Sequence, residues 1–78
     1  MRNLNLPPNA IVIDCGANVG KFTDVFAKKN ARVFSFEPNT HAYDVLKSKF
    51  QAFSNVTLIN EAVWTDDTEL KLFHHVNS

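Results

Sequence analysis

The stretch Ile11-Val12-Ile13-Asp14-Cys15-Gly16-Ala17-Asn18-Val19-Gly20-Lys21-Phe22 leaves the chain few folds to choose from. An apolar β-branched run ends in an acid, two glycines turn the backbone, and an amphipathic pattern begins at once. Ile-Val-Ile does not alternate with polar residues, so it reads as a strand buried on both faces and central in its sheet. Gly16 and Gly20 can take positive φ and let a ligand or a helix approach the backbone closely. Val19, Phe22, Val25 and Phe26 then recur at helical spacing, with Thr23, Asp24, Lys28 and Lys29 opposite them. Strand, glycine turn and helix make the first half of a βαβ unit, and open α/β sheets bind ligands at such strand ends.

The rest of the chain continues the alternation. Residues 1–9 are a short polar lead, stiffened by Pro7-Pro8. The first strand covers about Ala10 to Asp14 and the first helix about Val19 to Lys29. Arg32 to Glu37, β-branched and aromatic, is a second strand. Pro38 disfavours helix at Glu37, and Asn39 or Thr40 caps a second helix with an apolar stripe of Ala42, Val45, Leu46, Phe50 and Phe53. Val56 to Ile59 is a third strand. Beyond Asn60-Glu61-Ala62-Val63-Trp64, a turn at Thr65-Asp66-Asp67-Thr68 leads into a short edge strand, Glu69 to Phe73. The expected order is β-α-β-α-β-β, an α/β arrangement with a parallel sheet and right-handed crossovers.

Composition bounds the function. At 78 residues the chain is one domain at most, and its 45% apolar and 21% charged residues are those of a globular protein. Eight basic side chains balance eight acidic ones, so no net field favours nucleic acid or an anionic membrane. No apolar run approaches membrane-spanning length, and Met1-Arg2-Asn3-Leu4 lacks the apolar core of a signal peptide. One cysteine precludes an internal disulfide, in keeping with a cytoplasmic setting.

Three polar signals fall at the ends of the three parallel strands: Asp14 with the glycine turn, Glu37, and Asn60-Glu61-Ala62. Glu37 follows Gly16 by 37 − 16 = 21 positions, close to the interval at which dinucleotide folds place their ribose-binding acid. A carboxylate there can accept from both hydroxyls of a ribose. The dinucleotide fingerprint itself fails, because Asn18 and Lys21 stand where its second and third glycines belong. Asp14 would repel a pyrophosphate and would suit an ammonium or a sulfonium. S-adenosylmethionine carries both, together with a ribose.

Ile-Val-Ile-Asp-Cys-Gly-Ala-Asn-Val-Gly-Lys-Phe, followed by Val-Phe-Ser-Phe-Glu-Pro-Asn and later Asn-Glu-Ala-Val, resembles the FkbM family of S-adenosylmethionine-dependent methyltransferases. The resemblance runs from Asn9 to about Phe73 and implies a three-layer, Rossmann-like class I methyltransferase fold. It implies O-methylation of a sugar or natural-product hydroxyl, with a small-molecule acceptor and neither nucleic acid nor membrane as partner. By the same resemblance Asp14, Gly16, Ala17, Asn18 and Gly20 surround the methionine portion of the cofactor. Glu37 holds the ribose, Pro38 and Asn39 flank the adenosine, and Glu61 and Ala62 lie near the adenine edge. No residue is assigned to catalysis or to a metal. Family members continue through further strands and helices, so residues 10–78 are expected to be the cofactor-binding half of a longer domain. The first strand is then expected to keep one unpaired edge.

Other readings of the same residues stand beside these. Gly16 and Gly20 also fit a plain βα turn, and Asp14 can cap the first helix or bind turn amides. Cys15 reads as a small packing residue, His74-His75 as a solvated end, and the phenylalanines as core. Lys28, Lys29 and Arg32 form a small basic patch at a helix end. Two rival functions are a nucleotide- or NAD-binding domain of another enzyme class and a non-catalytic remnant. Glu37, at a strand's exposed end, is expected to contribute little to stability.

Overall fold

The computed structural model describes residues 6–65 and 70–74. The elements are β1 (Ile11–Cys15), α1 (Lys21–Ala27), β2 (Arg32–Phe36), α2 (Thr40–Phe50), β3 (Val56–Ile59), β4 (Glu61–Thr65) and β5 (Leu70–His74). Strands β1, β2 and β3 form one parallel sheet in that order, with Val12 opposite Val33 and Val33 opposite Val56. This is the expected Rossmann-like βαβαβ succession.

Both helices cover one face of the sheet. Ala27 of α1 packs with Ala31 and Val33, joined by Val12, Phe26, Phe53 and Val56. Leu46 and Phe50 of α2 pack with Ala17, joined by Phe53, Val56 and Leu58. Val12, Val33 and Val56 are neighbours in register, so the two clusters lie on the same side. Two layers of the three-layer fold are thus present among the described residues.

The second helix follows the sequence expectation. Ala42, Leu46 and Phe50 are its buried residues, and Asn39 caps it by accepting from the Ala42 amide at 2.9 Å. The first helix departs from it. Gly20 is left-handed at φ 91°, which delays the start of α1 to Lys21. Its buried residues are Thr23 and Ala27, while Phe22 is 56% and Val19 45% exposed. The sheet-facing side is the small one, because small side chains let the helix sit close to β1 and β2.

Strand β1 keeps the one unpaired edge expected of it and departs from expectation only in its burial. It pairs with β2 alone among the described residues, so it lies at an edge of this sheet. Ile11 and Ile13 point away from the helical face and are 61% and 54% exposed, so only one face of β1 is covered. Cys15 lies on that open face and is exposed rather than a packing residue.

A strand missing from the sequence reading is β4. It pairs antiparallel with β5 as a separate two-stranded sheet, with Ala62 opposite Phe73. Only Asn60 separates β3 from β4, so Glu61 and Ala62, read in the sequence as part of a polar strand-end signal, begin a strand of their own. The expected edge strand at Glu69 to Phe73 is β5, displaced by one residue. Residues 66–68 of the expected turn lie outside the described residues.

The close approach of α2 to the glycine turn yields a test. A Cβ on Gly20 would lie 2.5 Å from a ring carbon of Phe50 and 2.9 Å from Leu46, at a left-handed φ. One on Gly16, also left-handed, would meet nothing within 4 Å. Gly20→Ala should therefore cost about 2–4 kcal/mol, strain plus overpacking, against about 1–2 kcal/mol of strain for Gly16→Ala. Urea unfolding midpoints of the two variants compare them, and equal losses would contradict the packing role of Gly20.

Candidate cofactor-binding site

Three groups of residues meet at the C-terminal ends of β1, β2 and β3. The backbone carbonyl of Phe36 accepts from the amides of Gly16 at 2.9 Å and Ala17 at 3.0 Å, which holds the glycine turn against β2. Gly16 and Asn18 take positive φ of 72° and 54° inside that turn. Asparagine tolerates this region better than most residues with a side chain, so Asn18 can stand in for a glycine there.

Glu37 is the centre of the arrangement. Its side chain is buried, with 7% of the residue exposed, against the expectation of an exposed strand end. Oε1 accepts from the Asn18 amide at 2.5 Å, and Oε2 accepts from the Asn39 amide at 2.9 Å. One carboxylate therefore joins the loop after β1 to the loop after β2. The Glu37 amide donates to the Ile59 carbonyl at 2.9 Å, which extends the pairing towards β3. A carboxylate offers about four acceptor positions, so two remain for hydroxyl donors.

Asn60 completes the set. Its Nδ2 donates to the Glu37 carbonyl at 2.7 Å and to the Pro38 carbonyl at 3.2 Å. Sequence reasoning named Asn60 only as part of a strand-end signal and gave it no role. An asparagine between two β-branched stretches was the available clue, since asparagine often bonds local backbone where a chain changes direction.

The remaining candidates divide. Asp14 is half-buried at the end of β1 and accepts from the Thr23 hydroxyl at 2.9 Å. It does not cap α1, which has no side-chain cap. Ala17 is buried against Leu46 and Phe50, so its side chain serves the core and its backbone serves the turn. Gly20 is buried beneath Phe50 and Leu46. Pro38 is half-buried and Asn39 exposed beside Glu37. Glu61 and Ala62 are half-buried at the start of β4, adjoining Asn60. Lys49 of α2 donates to the Val19 carbonyl and so braces the turn from outside. No group of three potential metal ligands occurs among the described residues, and none of their helices is long and apolar enough to cross a membrane.

Known proteins of similar sequence and structure are methyltransferases. The chain is 36% identical over 59 residues to ribosomal RNA small subunit methyltransferase A of Staphylococcus haemolyticus, covering 76% of this chain and 20% of that protein. It is 43% identical over 44 residues to methyltransferase sdnD of Sordaria araneosa, covering 54% of this chain and 17% of that one. Among solved structures it resembles a TehB-like SAM-dependent methyltransferase from Corynebacterium glutamicum. That likeness has a TM-score of 0.57 at 20% identity and covers 69% of this chain and 28% of the other. The fold is therefore the Rossmann-like α/β fold of that enzyme. The chain spans about a fifth of the length of these curated relatives. No family model matches the chain.

The burial of Glu37 generates a stability prediction opposite to the one its sequence position invites. Glu37→Gln replaces one accepting oxygen by a donor, so either Asn18 or Asn39 loses its amide's partner. A loss of about 1.5–3 kcal/mol is expected, and a larger one for Glu37→Ala. Chemical denaturation of both variants measures it, and wild-type stability in Glu37→Ala would show that the latch does not hold the loops.

Proposed function

We propose that this chain binds S-adenosylmethionine at the ends of β1 to β3 and serves a methyltransferase of class I. The buried Glu37 carboxylate carries the reading: it is held rigid by two amides and keeps acceptor capacity for the two hydroxyls of a ribose. Asp14 stands at the neighbouring strand end, where a carboxylate favours a cationic methionine portion. Gly16 presents open space where any side chain would project. In this reading Gly16, Ala17, Asn18 and Gly20 shape the turn around that portion, Pro38 and Asn39 flank the adenosine, and Glu61 and Ala62 border the adenine. The cofactor, when bound, supplies a sulfonium methyl group to an acceptor. The chain's own residues bind and orient it, and none of them is assigned to the acceptor or to proton removal.

The finer reading follows the FkbM resemblance: a small-molecule acceptor, a hydroxyl of a sugar or natural product, in the cytoplasm. Some relatives are named for ribosomal RNA. A balance of eight basic and eight acidic side chains gives this segment no excess of cations for RNA phosphates, which favours the small acceptor.

Titration calorimetry tests the cofactor. S-adenosylhomocysteine should bind at least about tenfold more tightly than NAD, because Asp14 opposes a pyrophosphate. NAD binding without adenosylhomocysteine binding would reverse the assignment.

A further inference from the structure

Two hydroxyls lie in the helix–sheet interface where apolar side chains would pack as well. Thr23 of α1 and Ser35 of β2 are each 0% exposed. Ser35 sits opposite Asp14 in the β1–β2 register, on the face that otherwise carries Val12, Val33 and Val56. The Thr23 hydroxyl lies 2.9 Å from Asp14 Oδ2 and 2.7 Å from the Ser35 hydroxyl. Asp14, Thr23 and Ser35 thus form one chain across three elements.

The direction of that chain follows from donor counting. An ionised carboxylate only accepts, so Thr23 donates to Asp14. The Thr23 hydroxyl has a single proton, so the bond with Ser35 runs from Ser35 to Thr23. Both dipoles then point towards Asp14, and each bond polarises the next. One Asp14 oxygen is fixed in direction, while the half-buried carboxylate keeps further acceptor positions.

We propose that Thr23 and Ser35 are positioning residues that aim the Asp14 carboxylate at the ammonium of the amino-acid portion of an adenosyl ligand. This rests on the cofactor reading above. Neither hydroxyl touches the ligand; both act through Asp14. A valine at position 23 would fill the same space and leave Asp14 free to rotate, so the hydroxyl is what the position supplies.

The test compares two ligands on the full chain. S-adenosylhomocysteine carries the amino-acid portion, and 5′-methylthioadenosine lacks it while keeping the ribose and adenine. Thr23→Val should weaken adenosylhomocysteine binding about tenfold and leave methylthioadenosine within about twofold. Thr23→Ser should restore the wild-type ratio, and Ser35→Ala should lower it by a smaller factor. If circular dichroism shows Thr23→Val unfolded, Ser35→Ala carries the same comparison. An unchanged ratio in the folded variants, whether both ligands weaken together or neither does, would overturn the positioning role and leave the cofactor reading standing. A wild-type chain that binds neither ligand would remove the cofactor reading and this inference with it.

Discussion

A buried carboxylate is costly unless hydrogen-bonded, and the site depends on how Glu37 meets that cost. Its two oxygens take amides from separate loops, its own amide reaches β3, and its carbonyl receives Asn60. Every polar group of the residue is engaged. The bonds that satisfy Glu37 also set the distance between the loop after β1 and the loop after β2. A ligand lying across both loops meets a spacing already established, so less ordering opposes its binding.

Much of this arrangement was legible in the sequence because local chemistry decided it. β2, α2 and β3 lie where β-branched runs, an asparagine cap and a helical stripe place them. Glu37 was legible as a site residue from its interval to Gly16, but its burial was not, since no local pattern shows which loop will fold over a strand end. The side of α1 that meets the sheet was misread for a related reason. Periodicity finds Val19 and Phe22, which stay exposed, whereas close approach to two strands selects Thr23 and Ala27. β4 escaped because Asn60-Glu61-Ala62 reads as a polar strand end, and the bonds by which Asn60 turns the chain into a new strand are long-range.

The turns show a division of labour between glycine and asparagine. Asn9, Asn18 and Asn30 take positive φ of 64°, 54° and 65°, a conformation other side chains adopt at greater cost. Each sits where the chain enters or leaves a regular element and has room for its side chain. Glycine is kept for the two positions with a further demand. At Gly20 that demand is the ring of Phe50, so the residue belongs to the core. At Gly16 the space is open, so the demand comes from outside the described packing. Two glycines of one motif therefore answer to different physical causes, which spacing alone cannot separate.

The exposure of β1 explains why so much polar bonding gathers at its end. Among the described residues β1 has a strand partner on one side only, and Ile11 and Ile13 lie on a face that no helix covers. Apolar burial fixes β1 mainly through Val12, near its beginning. Its C-terminal end, which carries Asp14 and the glycine turn, is instead tied by directional bonds: Gly16 and Ala17 to the Phe36 carbonyl, and Asp14 to Thr23. Apolar contact sets separation but tolerates sliding, whereas these bonds set direction as well. A strand end that must present a carboxylate at a defined angle needs the second kind of restraint, and β1 has it at the end that carries Asp14.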